Sequence, residues 1–202
     1  MNKIVKDALI LTAITAISGT VLGSVYEITK EPIAKQQELT KQAAYQEVLP
    51  EAESFEELSI AGSDGVDIPA EAGYSAQEIT GAAKGLDGTG NEVGYVYTIV
   101  TGEGYGGDIT FTMGISSDGT VMGIEMLSIS ETAGLGMKAA EEDFKSQYAG
   151  KKVEQFVYTK SGAAADNEVD AISGATITTN AVTNGVNAGL EYFKAQGGKA
   201  NE

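Results

Sequence analysis

The stretch from Ala8 to Tyr26 constrains the fold of this chain more than any other segment. It holds 19 residues without a charged side chain and is rich in leucine, isoleucine, valine and alanine. A helix of this length rises about 28 Å, which is close to the hydrocarbon thickness of a bilayer. We therefore predict a transmembrane anchor over residues 8–26, preceded by a short flank of residues 1–7.

A cleaved signal peptide is the alternative, because small residues cluster at positions 18–20, 23 and 24. The apolar stretch is longer than the usual core of a signal peptide, which favours an uncleaved anchor. Lysines flank it on both sides, at Lys3 and Lys6 and at Lys30 and Lys35, so they do not fix its orientation. Because no charged side chain lies within the span, this helix cannot itself form an ion pathway.

Residues 27–50 are expected to form a helical linker between the anchor and a single domain. Residues 32–49 are polar and carry an imperfect helical stripe of apolar side chains, which Pro50 ends. Residues 51–202 then form the domain, which is long enough to bury a core of its own. Its first part, residues 51–73, mixes acidic residues with glycine and proline and is predicted to be loop with at most short strands.

The middle of the chain shows the alternation of large apolar and smaller residues that is typical of β-strands. Strands are predicted over residues 93–99, 109–115 and 121–127, and Asp118-Gly119 indicates a hairpin turn before the last of them. Strands joined by short connections pair antiparallel, so we expect a meander with one buried face.

The region after these strands is predicted to add helices to the sheet. We expect a helix over residues 137–148, a strand over residues 151–158 and a loop over residues 161–167. The helix would place Ala140, Phe144 and Tyr148 on one side. The predicted fold class is α+β: an antiparallel β-sheet with packed helices, preceded by one N-terminal transmembrane helix.

The composition excludes several kinds of chemistry. The chain contains no histidine, cysteine or tryptophan in 202 residues. Histidine bases, thiol nucleophiles, disulfides, iron–sulfur ligation and the usual zinc sites are thereby excluded, and we expect no metal site. Any demanding chemistry must come from carboxylates, hydroxyls or a bound cofactor. The whole chain has a net charge of −16 and residues 1–26 carry +1, so the remainder carries −17, and such an acidic domain will not bind nucleic acid.

Residues 170–176, Asp-Ala-Ile-Ser-Gly-Ala-Thr, place hydroxyl groups where a helix is about to begin. Apolar residues recur at three- and four-residue spacing from Ile177 to Phe193, which predicts that helix, and Asp170 or Ser173 is expected to cap it. A helix start leaves about four backbone N–H groups unpaired and favours an anion, so a phosphate would be stabilised beside Thr176. Simple capping by these residues is the alternative interpretation.

This segment resembles the flavinylation motif of a family of FMN-binding domains, in which an aspartate is followed by Ser/Thr-Gly-Ala-Thr. The family includes the G subunit of Rnf complexes and the C subunit of Na+-translocating NADH:quinone reductases. In that family the last threonine carries FMN through a phosphoester bond, so the resemblance implies covalent attachment at Thr176. It further implies a site that includes Asp170, Ser173, Gly174 and Ala175. Because the flavin would carry the electrons, no catalytic acid, base or nucleophile is then expected in the chain. Asp170 is expected to serve the modification more than the finished site.

Residues 131–136, Glu-Thr-Ala-Gly-Leu-Gly, are similar to the family's Glu-Thr-Pro-Gly-Leu-Gly loop, which contacts the flavin. Alanine at position 133 in place of proline should loosen the loop, whereas the glycines that allow close approach of the backbone are present. The residues that the resemblance implies as flavin contacts are Glu131, Thr132, Gly134, Leu135 and Gly136.

Residues 102–107, Gly-Glu-Gly-Tyr-Gly-Gly, match the dinucleotide-binding pattern G-x-G-x-x-G, but an alternating strand follows them instead of a helix. A Rossmann phosphate site is therefore not expected, and a glycine-rich connection between strands is favoured. The resemblance adds a third interpretation, in which Tyr105, Gly106 and Gly107 line the flavin site.

The resemblance implies a relay that passes electrons within a membrane complex between reduced ferredoxin and NAD+, while the complex transports sodium ions or protons. The short chain favours the Rnf branch over the quinone-reductase branch. Expected partners are the other subunits of the Rnf complex, the membrane through residues 8–26, and a flavin transferase that donates FMN from FAD. The FMN domain is expected on the extracytoplasmic side of the cell membrane.

Two other functions are compatible with parts of the sequence. A pilin-like or binding module without enzymatic activity has the same layout, although the residues before the apolar helix are not those usual in pilins. A hydrolase with Thr176 or Ser173 as nucleophile is disfavoured, because the chain has no histidine base and Lys160 is the only nearby lysine.

Overall fold

The computed structural model describes residues 2–60 and 68–197. Its first element, helix α1, spans Lys3–Val48 and contains Pro32, so the predicted anchor and linker are parts of one continuous helix. It is the one helix among the described residues that is long and apolar enough to cross a membrane, and the side chains of its apolar part are exposed. The chain divides into two compact units, Met1–Lys41 and Gln42–Glu202.

The second unit contains a five-stranded sheet, a smaller two-stranded sheet and one long helix. Its strands are β1 (Ser54–Leu58), β2 (Gln77–Leu86), β3 (Glu92–Thr101), β4 (Ile109–Ser116), β5 (Val121–Ser128), β6 (Val157–Thr159) and β7 (Glu168–Asp170). Its helices are α2 (Ile68–Glu71), α3 (Glu142–Lys145) and α4 (Thr176–Ala195), with 3-10 turns at Gly136–Ala140 and Ser146–Tyr148.

The large sheet is an antiparallel meander in chain order from β1 to β5, and β6 and β7 form a separate parallel pair. The predicted turn between β4 and β5 is present, with Gly119 at a φ of +91°. The Asp118 carboxylate accepts hydrogen bonds from the Ser116 hydroxyl and the Thr120 amide, which lower its pKa. The predicted α+β class is confirmed.

Helix α4 packs against one face of the sheet and forms the main core with it. Two glycines allow the close approach. A Cβ at Gly185 would lie 2.7 Å from Cζ of Phe111, and one at Gly189 would lie 2.9 Å from Cε of Met113. The sheet residues in this core include Tyr97, Ile99, Phe111, Met113 and Ile115.

The opposite face of the sheet is also covered, so the prediction of one buried face was wrong for the central strands. Tyr45, Val48 and Leu49, from the end of α1 and the residue after it, are 1–3% exposed and pack against Ala83 and Val96. A hydrogen bond of 3.2 Å joins the hydroxyls of Tyr45 and Thr98. Residues assigned to the linker therefore contribute to the core of the domain.

Several predicted elements differ from the observed ones. Strand β2 was not predicted, whereas the five-residue strand β1 agrees with the prediction of at most short strands for residues 51–73. The helix predicted over residues 137–148 is broken at Glu141, whose ψ of 149° is extended, and Ala139 is buried in place of Ala140. The strand predicted over residues 151–158 is reduced to β6 and a single bridge between Lys151 and Val121. Residues 61–67 of the predicted loop and residues 198–202 of the predicted domain lie outside the described residues.

Candidate flavin-binding site

The residues between β7 and α4 form a tight turn that places Thr176 at the start of the helix. Gly174 has a φ of +77°, a backbone conformation that glycine adopts without steric cost. The amide of Ala175 donates to the carbonyl of Ile172 at 2.9 Å. The Thr179 hydroxyl accepts a hydrogen bond from the Ile172 amide and donates one to the Ala175 carbonyl, both at 3.0 Å. These bonds hold residues 172–175 against the start of α4.

The first turn of α4 has no side-chain cap, so the prediction that Asp170 or Ser173 caps it was wrong. The N-cap residue is Ala175. The Asp170 carboxylate instead accepts a hydrogen bond of 2.7 Å from the Ala163 amide, because β7 directs it toward the loop before that strand. The backbone N–H groups in the first turn of α4 therefore receive no side-chain cap and are available to another acceptor.

A cavity of about 580 Å³ lies against this helix start. It falls within the range of about 300–1,000 Å³ that is typical of small-molecule sites. Three separate parts of the sequence line it: the connection from β3 to β4, the loop after β5 and the start of α4. The lining residues are Tyr105, Glu131, Thr132, Leu135, Gly136, Gly174, Ala175, Thr176, Ile177 and Thr178.

Most of the residues that the resemblance implied are brought together in this cavity. The structure does not place the others in its lining, namely Asp170, Ser173, Gly134, Gly106 and Gly107. Gly134 and Gly107 have φ values of +75° and +130° and shape the two loops from outside the lining. Ile177 and Thr178 were not predicted as part of the site. Their position directly after Thr176, at the start of a helix, is the sequence feature that could have indicated them.

The glycine-rich segment 102–107 connects β3 to β4, as expected, and no helix follows it. Its backbone lies directly on the loop after β5, since a Cβ at Gly106 would be 2.2 Å from the carbonyl oxygen of Ser130. The Gly106 amide donates to Oε1 of Glu131 at 3.1 Å. Tyr105 projects from this segment at the cavity and is 72% exposed.

The cavity combines apolar side chains with backbone donors. Leu135 and Ile177 are 42% and 53% exposed, so they offer unpartnered apolar surface at its wall. None of the ten lining residues named above is cationic, and the charged one is Glu131. A phosphate bound here would therefore be offset by N–H groups and the dipole of α4 rather than by a cationic side chain. Among the described residues, no cluster of three or more aspartate or glutamate side chains is arranged to hold a metal ion.

Two family models match different parts of the chain. Residues 1–48 match the family model described as the RnfG N-terminal region, and residues 104–191 match the model described as an FMN-binding domain. The G subunit of the Na+-translocating ferredoxin:NAD+ oxidoreductase complex of Acetobacterium woodii is 34% identical over 193 residues, which cover 94% of this chain and 91% of that protein. The chain belongs to the RnfG family.

Other relatives of this RnfG family member carry corresponding names. The G subunit of the ion-translocating oxidoreductase complex of Methanosarcina acetivorans is 32% identical, with 98% of both chains covered. The G subunit of the proton-translocating ferredoxin:NAD+ oxidoreductase complex of Clostridium ljungdahlii is 30% identical, with 94% of this chain and 91% of that protein covered. The Rnf branch of the resemblance is confirmed.

Solved structures support the fold. NqrC of Shewanella oneidensis matches with a TM-score of 0.51 at 20% identity, over 70% of this chain and 82% of that one. The C subunit of the Na+-translocating NADH-quinone reductase of Parabacteroides distasonis matches with a TM-score of 0.52 at 20% identity, over 79% and 83% of the two chains.

Proposed function

We propose that this protein is a single-pass membrane flavoprotein that carries FMN on Thr176 and relays electrons within an ion-translocating ferredoxin:NAD+ oxidoreductase complex. The observation that carries the proposal is the cavity at the uncapped start of α4, which Thr176 itself lines. The match of residues 104–191 to an FMN-binding domain and the names of the relatives support it. A pilin-like module or a hydrolase has no comparable support.

The residues of the cavity have distinct tasks toward FMN. The unpaired N–H groups at the start of α4 would stabilise the phosphate, whose remaining negative charge the helix dipole would favour. Leu135, Ile177 and Tyr105 would provide apolar and aromatic surface for the flavin ring, and the loop of residues 131–136 would offer backbone groups to it. When bound, FMN supplies the electron transfer, and the protein tunes and shields it.

Attachment requires a separate flavin transferase with FAD as the donor. The Thr176 oxygen forms a new bond to the FMN phosphorus, the bond between the two phosphates of FAD breaks, AMP leaves, and the hydroxyl proton passes to a base of the transferase. We assign no base to this chain. Asp170, outside the cavity lining and exposed, is available to the transferase.

Ion transport belongs to the partner subunits in this proposal. The apolar span of α1 has no charged side chain, and one such helix offers no pathway for an ion. Relatives named for Na+ and for protons match similar lengths of the chain, which agrees with an ion choice made elsewhere in the complex. The FMN domain is proposed to face the extracytoplasmic side.

The attachment is tested by co-expressing the chain with a flavin transferase and measuring peptide masses. We expect an FMN-sized addition on the peptide that contains Thr176 and its loss in Thr176→Val, which keeps the shape but removes the hydroxyl. Thr132→Val is the matched control, because Thr132 lines the same cavity and should keep the addition. A Thr176→Val protein that still carries covalent FMN would contradict attachment at Thr176. If the Asp170→Ala variant incorporates FMN normally, Asp170 has no role in the attachment reaction.

A further inference from the structure

Glu131 is an acidic residue in an unusual position. It is only 9% exposed, and no ion pair to it is present among the described residues. Its recorded partner is the backbone of another loop, since Oε1 accepts from the Gly106 amide at 3.1 Å. Buried carboxylates are rare unless paired, so this placement calls for a specific task.

The Glu131 carboxylate occupies space that Gly104 and Gly136 leave open, and Gly106 lies against the backbone of Glu131. A Cβ on Gly104 would lie 2.9 Å from Oε1, and a Cβ on Gly136 would lie 2.6 Å from Oε2. A Cβ on Gly106 would lie 3.3 Å from the Cα of Glu131. The glycines at these positions thus allow both loops to close on one side chain.

Hydrogen bonds also hold the N-terminal end of the glycine-rich segment, at Glu103. Oε2 of Glu103 accepts hydrogen bonds from Gln77 at 2.9 Å and from Asn184 at 2.7 Å. Asn184 lies on α4, the helix that begins with Thr176. The segment is therefore tied to α4 through Glu103 and to the loop after β5 through Glu131, with Tyr105 between the two attachments.

We propose that Glu131 is a positioning residue that holds residues 102–107 in place as a preformed wall of the flavin site, and that its carboxylate is a fixed negative charge at that site. The inference rests on the proposed flavin function and assigns Glu131 a task beyond contact with the ring. A negative charge beside the cavity opposes the addition of electrons to a bound flavin, so it lowers the midpoint potential.

The positioning task is tested on the full-length chain in detergent, produced without a flavin transferase so that Thr176 is free. Deuterium uptake is measured on peptides that cover residues 102–108. We expect the Gly106 amide to exchange at least about tenfold faster in Glu131→Ala, because a hydrogen bond to a charged group is lost. Glu131→Gln keeps an acceptor oxygen and should lose less protection. Glu141→Gln, which removes an exposed carboxylate ten residues away, should match the wild type.

Unchanged uptake over residues 102–108 in Glu131→Ala would overturn the positioning role. Deuterium uptake in β3 and β4 shows whether each variant is folded. If Glu131→Ala is not folded, Glu131→Gln replaces it in the test. Faster uptake over residues 102–108 in Glu131→Gln than in Glu141→Gln would then support the positioning role, and equal uptake would overturn it.

The charge is tested on the flavin-loaded protein by measuring the midpoint potential. Glu131→Gln should shift it to a more positive value, whereas Glu141→Gln should leave it unchanged. An unchanged potential in Glu131→Gln would overturn the role of the charge. A wild-type chain that takes up no flavin would instead contradict the proposed function, and the exchange measurements on the flavin-free chain would still judge the position of Glu131.

Discussion

At the scale of single residues, the position of Thr176 at the cavity depends on the backbone conformation of the residues before it. The chain must turn sharply between β7 and α4, and it does so at Gly174, whose φ is +77°. The next residue, Ala175, is buried and Thr176 follows at the cavity. The glycine therefore sets the direction from which Thr176 enters the site.

A substitution at Gly174 should lower stability through this dihedral angle. We expect Gly174→Ala to lower the free energy of unfolding by about 1–2 kcal/mol, because the left-handed conformation is unfavourable for alanine. Asparagine tolerates that conformation better, so Gly174→Asn should be less destabilised. Thermal denaturation of both variants measures the difference. If Gly174→Ala is as stable as the wild type, the positive φ is not required by the turn.

The residue scale also shows what a motif can and cannot predict. The resemblance implied eight of the ten residues that line the cavity, including Thr176 and Leu135. It did not reveal the missing cap, because Asp170 and Ser173 are good capping residues by type. Whether a side chain caps a helix depends on the path of the preceding turn, and the Asp170 carboxylate is used by the Ala163 amide instead.

At the scale of elements, helix α4 combines two tasks along its length. Its first turn lines the cavity, and its later residues pack on the sheet so closely that glycine is needed at Gly185 and Gly189. The two positions differ in what a methyl group would meet. At Gly185 it meets the ring of Phe111, which is fully buried; at Gly189 it meets the flexible ends of Ile99 and Met113.

Alanine at these two positions should therefore have different effects. Alanine is favoured over glycine inside a helix by about 1 kcal/mol. At Gly185 this gain is outweighed by overpacking against the buried ring of Phe111, which has fewer rotatable bonds than a methionine, so Gly185→Ala should lose about 1–2 kcal/mol. At Gly189 the methionine end can adapt, and Gly189→Ala should stay within about 0.5 kcal/mol of the wild type. Urea denaturation of both variants, compared at equal slope, measures the contrast; equal loss at the two positions would contradict this account of the packing.

The accuracy of the predicted elements follows from the kind of signal that each one carries. Strands β3, β4 and β5 and helix α4 have a regular apolar period and were predicted. Strand β2 was not, because its sequence, Gln-Glu-Ile-Thr-Gly-Ala-Ala-Lys-Gly-Leu, has few large apolar residues and contains two glycines. Its stability comes from pairing with β1 and β3 and from contact with Leu49 and Ala52 near Gly85, which no local pattern reports.

At the scale of the whole molecule, the domain begins at an earlier residue than the composition of the sequence indicates. The sequence becomes polar after residue 26 and Pro50 marks a break, so a domain beginning at residue 51 was the natural prediction. The compact unit begins at Gln42 instead. Tyr45, Val48 and Leu49 lie in its core, and the carbonyl oxygen of Val48 is so close to β4 that a Cβ on Gly114 would be 2.0 Å from it.

This boundary predicts different behaviour for two shortened chains. A chain of residues 42–202, without the apolar span, should fold in water and accept FMN from the transferase. A chain of residues 51–202 lacks four buried side chains, those of Ala44, Tyr45, Val48 and Leu49. The three larger ones contribute about 1.5–3 kcal/mol each. Their sum is comparable with the whole stability of a typical domain, about 5–15 kcal/mol. We therefore expect residues 51–202 to be unfolded or to melt far below residues 42–202.

Circular dichroism melting curves and flavin occupancy of the two chains, produced side by side, measure this difference. Tyr45→Phe in the longer chain is the matched control, because it removes only the hydroxyl that bonds to Thr98 and should cost about 1 kcal/mol. Equal melting temperatures for the two shortened chains would show that the end of α1 covers the sheet without stabilising it. The expected result would make residues 42–49 part of the folding unit of the domain, although the composition of the sequence assigns them to the linker.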